Sequence, residues 1–364
     1  MRRLLFKLHL YAGLTAGLLL AVAGVTGSLL VFHDTLDEWL TPRLTSDPAT
    51  EPASLETVLA AADAAVPGKA PQRLNLSRGP GSPHEVRFQG PPGAPGPLQV
   101  SVTPAGEVRA IRHWGQYPVS WVYRLHYNLL AGTTGHYVVG ASGLFLLFFC
   151  VSGLYLWWPR GRRAGRWRRA LTLRRDAGRF RFYFDLHRTA GFYLLPVLMV
   201  VAFSGVSLVF PGAVRAMVGA VLPLEASPVP HAEPNGAPLN VDQVVAAGRR
   251  AFPNAALIRV DLPASPTDPY RLAFNQPDEP WSHYGATRVW VDQYNGTILA
   301  TYNPLTAAAG SQFLSWQFPL HNGDALGLAG RWLILASGVF PALLFATGLY
   351  LWWRKRRPLR RRHS

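Results

Sequence analysis

Four apolar blocks, at about residues 10–32, 137–158, 188–210 and 328–353, divide the 364-residue chain, and they narrow its fold more than any other feature. Each is about 20 or more residues long, enough for a helix to cross a hydrocarbon core of about 30 Å. Each is also rich in Gly and other small residues, which lets neighbouring helices approach closely in lipid. The pattern predicts a membrane protein with four transmembrane α-helices.

Charge sets the expected orientation. Of the 36 Lys and Arg, 20 fall in "MRRLLFK", in the loop 159–181 and in the tail "RKRRPLRRRHS", accompanied by one acid, Asp176. The net charge of +16 therefore belongs to one side of the membrane, and the positive-inside rule makes both termini and the middle loop cytosolic. A nucleic-acid-binding role is set aside, because the arginines flank apolar spans and do not line a soluble fold. The expected organisation is a span over 9–33, an external segment over 34–132, a span over 133–158 and an Arg-rich cytosolic loop over 159–186. A span over 187–210, a second external segment over 211–325, a span over 326–353 and a basic cytosolic tail over 354–364 follow. The one cysteine, Cys150, lies within the second span, so the external segments have neither a disulfide framework nor a CxxCH haem-attachment motif. "AVAG" mimics a signal-peptide cleavage site, but the apolar stretch is long for a signal peptide and reads as a retained span.

The chain also repeats itself. "KLHLYAG" at 7–13 answers "DLHRTAG" at 185–191, and Thr26-Gly27 answers Ser204-Gly205, at an offset of 178. "SWVYRLHYN" at 120–128 answers "SWQFPLHNG" at 315–323, and "SGLYLWWPR" at 152–160 answers "TGLYLWWRK" at 347–355, at an offset of 195; Ser142-Gly143 and Ser337-Gly338 share that offset. Such a tandem duplication, with both copies starting in the cytosol, puts its pseudo-axis along the membrane normal. Each external segment begins with a short amphipathic helix, "LETVLAAADAAVP" or "VDQVVAAGRRAFP". Alternating strands follow, with Asn295-Gly296 as a hairpin turn and Pro104-Ala105-Gly106 as its weaker counterpart. Each segment is expected to be a small external α+β module.

These helix-plus-strand modules, the LHxxxG starts and the "TGLYLWW" endings resemble the PepSY-associated transmembrane family over essentially the whole chain. That family includes iron-regulated bacterial inner-membrane proteins and siderophore reductases. The resemblance implies a bacterial inner-membrane location, PepSY-like modules in the periplasm, and a periplasmic ferric siderophore or other ferric chelate as electron acceptor.

Eleven histidines are present, and four occupy duplicated places. His9 and His187 stand at the cytosolic starts of the first and third spans, and His126 and His321 stand just before the second and fourth, on the external side. A single interfacial histidine is most simply an anchor. Two pairs at matching depths are candidates for the axial ligands of two b-type haems. Gly13 and Gly191, at i+4 from His9 and His187, leave room for a flat macrocycle or serve simple helix packing. Arg124, Arg188 and Arg331 are candidate propionate contacts or interface arginines. His33 and His136 break the symmetry, facing Pro211 and Arg331 in the other copy, and are alternative ligands. His113, His231 and His283 read as solvated, and His84 and His363 carry no signal. No catalytic residue is assigned.

One haem near each face makes an electron path across the bilayer. A cytosolic reductase or a quinone has to donate, because the chain has no GxGxxG after a strand and no soluble cytosolic domain. Two rivals are a transporter of iron or siderophore and a non-catalytic binding or regulatory protein. The first predicts interrupted helices and polar residues at mid-span, whereas the spans show only Thr15, Thr26, Ser204 and Ser207 and no midplane charge; the second leaves the paired histidines without a purpose.

Overall fold

The computed structural model describes all residues except Thr50, 160–164, Ala177, 282–283 and 357–364, and the side chain of Arg166. It divides into two units: residues 1–31, 122–214 and 320–364 form a helical bundle, and residues 32–121 and 215–319 form a sheet domain.

Three helices of the bundle are long and apolar enough to cross a membrane: Arg2–Leu30, Gly132–Trp157 and Asp324–Arg356. A fourth candidate is a bent pair, Arg179–Tyr193 and Leu195–Val209, inclined by 62°. The expected third span, 187–210, is thus not one straight helix. The break falls at Leu194, just before Pro196, which lacks the N–H that a continuing helix requires and clashes with the preceding turn. The last span is likewise divided at Val339, ahead of Pro341, but continues on its course.

The bundle buries what a soluble domain exposes. Ala16, Thr26, Ser28, Ser142, Ser152, Ser204, Ser337 and Thr347 are buried, whereas Leu18, Val25, Leu29, Leu144, Phe145, Val151 and Leu333 face outward. Large apolar side chains outside and small or hydroxylated ones inside suit a lipid solvent. There the helices gain by close packing and interhelical hydrogen bonds, not by hiding leucine. The chain is a membrane protein.

The first span packs on Gly132–Trp157 and on both halves of the last span. Where it crosses the last span, a Cβ on Gly24 would lie 2.2 Å from the Gly338 carbonyl oxygen, and one on Gly338 would lie 2.5 Å from that of Gly24. Ser28 Oγ donates to the Leu335 carbonyl at 2.7 Å across the same crossing. Gly132–Trp157 packs against Leu195–Val209 through Gly140 and Gly143, and Arg179–Tyr193 packs against Phe340–Arg356.

The strands fall where sequence alternation places them. They are β1 (Pro71–Asn75), β2 (His84–Phe88), β3 (Leu98–Val102), β4 (Val108–His113), β5 (Ala256–Asp261), β6 (Tyr270–Asn275), β7 (Thr287–Val291) and β8 (Ile298–Tyr302). They do not form two separate sheets. β1 pairs antiparallel with β5, giving one antiparallel sheet in the order β4-β3-β2-β1-β5-β6-β7-β8. Each four-stranded meander would otherwise leave an edge of unpaired backbone groups, and joining the two edges satisfies both.

One face of the sheet carries Leu74, Val86, Phe88, Val100, Val260, Leu272, Phe274 and Val289, all fully buried beneath helices Leu55–Ala65 and Val241–Arg249. The helix starts are tied reciprocally. Asp242 accepts from the Leu55 and Glu56 amides at 3.0 Å, and Glu56 accepts from the Val241 amide at 3.2 Å. A carboxylate at each helix N-terminus is favourable through the helix dipole. On the other face Asp261 sits among Arg73, Arg259 and Arg271. Burial alone would raise its carboxyl pKa, but the three guanidiniums outweigh that and hold it below the usual carboxylate range.

Replacing Gly24 by Ala forces two backbones apart and should destabilise the purified protein by about 1–3 kcal/mol. Gly212→Ala, where no atom lies within 4 Å, should be neutral or slightly stabilising. Thermal unfolding in detergent compares the two, and equal effects would contradict the close crossing.

Candidate functional site

Each of the four duplicated histidines rests on a Ser/Thr-Gly dipeptide of another helix. His9 Nδ1 lies 2.7 Å from Ser152 Oγ, and a Cβ on Gly153 would come within 3.5 Å of its ring. His187 Nδ1 lies 2.9 Å from Thr347 Oγ1, and Gly348 faces its ring in the same way, also at 3.5 Å. His126 Nδ1 lies 3.2 Å from Thr26 Oγ1 and 2.9 Å from the Ala23 carbonyl. His321 Nδ1 lies 3.1 Å from both Ser204 Oγ and the Val201 carbonyl. A Cβ on Gly27 or Gly205 would sit 3.0 Å from Cε1 of His126 or His321, so the glycine lets the ring lie flat on the helix.

The seats also fix which ring nitrogen carries the proton. Each hydroxyl has one hydrogen, and it is already donated down its own helix. Thr26 donates to Val22, Ser152 to Phe148, Ser204 to Val200 and Thr347 to Leu343, at 2.6–2.8 Å. With the proton so placed, the oxygen offers the imidazole a lone pair that Nδ1–H can use. At His126 and His321 a carbonyl accepts as well, which admits no other tautomer. Nε2 is therefore left with its lone pair, the arrangement of a metal-ligating histidine oriented by its other nitrogen.

The structure brings His126 and His321 together, with ring centres 6.1 Å apart and planes inclined by 51°. Two imidazoles so placed would hold one metal centre between them. His9 is seated on Gly132–Trp157 and His187 on Phe340–Arg356. Between His9 and Thr26 the first helix rises about 25 Å, so the seats of His9 and His126 are about that far apart along it. Among the described residues no three His, Cys, Asp or Glu converge as a metal cluster. A macrocyclic cofactor, which brings metal donors of its own, needs only two imidazoles from the protein. No atom lies within 4 Å of a Cβ built on Gly13, and only Leu344, at 3.9 Å, approaches one on Gly191. The residues present fit haem.

The other candidates are placed differently. His33 belongs to the sheet domain, where its Nε2 meets Tyr284 Oη at 3.2 Å and Asp34 at 3.3 Å. His136 donates Nδ1–H to the Tyr127 carbonyl at 3.2 Å and lies against Tyr127 and Tyr137. Arg331 donates to the Val31 carbonyl at 2.6 Å and lies 3.9 Å from Asp324. Arg188 pairs with Asp185 at 3.0 Å, and Arg124 is partly buried. His231 is exposed and His113 partly buried, but His84 is buried and its Nδ1 accepts from the Ser77 amide at 2.9 Å. His283 and His363 lie outside the described residues, as does most of the basic tail. Sequence reasoning missed the roles of the Ser/Thr-Gly pairs and of Asp185. The repeat alignment had already marked the pairs as equivalent positions.

Removing the hydroxyl that meets His9 should cost more than removing one whose histidine keeps a carbonyl partner. Ser152→Ala leaves a buried N–H without that acceptor and should cost about 1–3 kcal/mol, whereas Thr26→Val should cost about 1 kcal/mol or less. Thermal unfolding of the two variants should show this order, and the reverse would contradict the assigned hydrogen bonds.

Comparison with known proteins agrees with this architecture. The family model described as the PepSY-associated TM region matches residues 6–355. The uncharacterized protein PA4219 of Pseudomonas aeruginosa is 29% identical over 256 residues, a match covering 64% of this chain and 62% of that protein's length. With nearly all of its length matched by the family model, bundle and sheet domain together, the chain belongs to the PepSY-associated TM family.

Proposed function

We propose that the protein is a di-haem b-type reductase of a bacterial inner membrane. It passes electrons from a cytosolic reductase or a quinone to a periplasmic ferric chelate, such as a ferric siderophore, and so releases iron. In this reading four spans arise from a tandem duplication, both termini are cytosolic, and the sheet domain is periplasmic. The arginine-rich loop and tail support that orientation.

The observation that carries the proposal is the fourfold histidine seat. His126 and His321 hold one haem and His9 and His187 the other, each through Nε2. Ser152, Thr347, Thr26 and Ser204, with the Ala23 and Val201 carbonyls, fix ring orientation and raise ligand basicity. When bound, each haem supplies a one-electron Fe(III)/Fe(II) couple. The protein sets its potential through the axial ligands and the low-dielectric helix bundle. Gly13 and Gly191 leave the His9/His187 level open beside the backbone. Arg124, Arg188 and Arg331 are the propionate candidates; Arg188 also pairs with Asp185, and Arg331 meets Val31 and Asp324. A ferric chelate of hard oxygen donors loses affinity on reduction, because those donors hold Fe(III) more tightly than Fe(II).

Proteoliposomes test this directly, with a quinol inside and ferric citrate plus a membrane-impermeant ferrous chelator outside. Ferrous iron should accumulate outside with the wild type and not with His126→Ala or His187→Ala. Equal rates in all three would refute the assigned path.

A further inference from the structure

On the arginine-rich side of the bundle lies a cleft of about 500 Å3, within the size range of small-ligand sites. Arg2, Arg169, Arg174, Arg181 and Arg188 line it, with Trp158 at its wall and no acid among the described residues that line it. Beneath them is Asp185, whose side chain is 0% exposed. It holds Arg174 at 3.1 Å and Arg181 and Arg188 at 3.0 Å. One carboxylate thus organises three guanidiniums, while Arg2 donates to the Leu156 carbonyl at 2.7 Å and Arg188 to that of Arg169. The Arg188 Nε is buried and has no hydrogen-bond partner.

Five guanidiniums around one buried carboxylate leave a concentrated positive charge that repels itself. A multiply charged anion relieves that repulsion and uses the forked donors, which match phosphate oxygens in pairs. The walls are rigid and aromatic. Trp157 stacks on Phe192 at 3.8 Å and donates Nε1–H to the Ala170 carbonyl at 3.2 Å, while Trp158 and Trp167 meet edge to face at 5.2 Å. Tryptophans beside arginines at a span end mark the headgroup level, where phosphate is the prevailing anion.

We propose that this cleft binds a phosphate group, carried either by an acidic phospholipid of the adjoining leaflet or by a soluble phosphate ester such as a nucleotide. The site does not depend on haem. Asp185 and Arg188 flank His187, so under the reductase reading a soluble nucleotide bound here would stand where an electron donor has to arrive.

The test uses the full-length protein in neutral detergent, with tryptophan fluorescence as readout. The probes are pyrophosphate, flavin mononucleotide and dihexanoyl-phosphatidylglycerol, with the phosphatidylcholine analogue as control. At least one anionic probe should bind saturably, more weakly as salt rises, and the control should not. Lipid binding alone assigns the headgroup source; pyrophosphate or flavin nucleotide binding assigns the soluble one. The Arg2→Gln/Arg169→Gln variant keeps all three Asp185 ion pairs and should bind about tenfold more weakly, or 1.4 kcal/mol. Arg181→Lys, which keeps the charge but loses the fork, should fall between. No binding by any anionic probe, or affinity unchanged in Arg2→Gln/Arg169→Gln, overturns the proposal. So does binding confined to haem-free protein, which would make the cleft a propionate cradle. Haem content is measured separately, so a colourless protein that still binds phosphate refutes only the reductase reading.

Discussion

The hydrogen bond from a histidine Nδ1–H to a hydroxyl or carbonyl on a neighbouring helix is the contact on which the bundle is organised. It needs a Ser or Thr whose own proton is already spent on the preceding turn, and a glycine beside it so that the ring can approach. It also crosses between elements. The first span seats His126 and is itself anchored by His9 on Ser152; the bent pair likewise seats His321 and is anchored by His187 on Thr347 of the last span. An interhelical hydrogen bond in lipid is worth only about 0.6–2 kcal/mol, so four of them do not hold the bundle alone. What they fix is orientation: each of the four imidazoles turns Nδ1 to its seat.

The surroundings follow from the same solvent. A bundle in hydrocarbon gains little from burying leucine, so its interior is free to be small and polar, and glycines can bring the first and last spans into backbone contact at Gly24 and Gly338. The bend after Leu194 lets one chain segment offer His187 on one limb and the seat of His321 on the other. The sheet domain obeys the opposite rule. Aliphatic and aromatic side chains fill its helix-covered face, and an arginine-rich network around Asp261 occupies the other.

Much of this was legible in the chain. The long apolar helices followed from apolar length and the strands from alternation, and repetition at two offsets singled out the four histidines that rest on Ser/Thr-Gly pairs. The unread parts share a physical cause: they depend on which surfaces meet. Thr26-Gly27 and "SGLYLWW" stood out as repeats, but a Ser-Gly pair reads equally as a packing motif until an imidazole is seen resting on it. Ser142-Gly143, with the same look, meets Val206 instead. The single sheet required knowing that the β1 and β5 edges pair, and alternation says nothing about edges. Asp185 sat beside a basic loop as one acid beside many arginines, and only burial reveals that three of them converge on it. Pro196, by contrast, was visible inside the third apolar block and was sufficient reason to expect a break.

The central claim is that the seats exist to hold two bis-histidine haems. Low-temperature electron paramagnetic resonance of the oxidised, detergent-purified protein, with haem quantified per chain, tests it most directly. The account predicts about two b-type haems per chain, both low-spin, with signals lost in pairs: one on replacing His9 or His187, the other on replacing His126 or His321. A protein without haem after expression with added haem precursor, or signals that survive all four replacements, would contradict it.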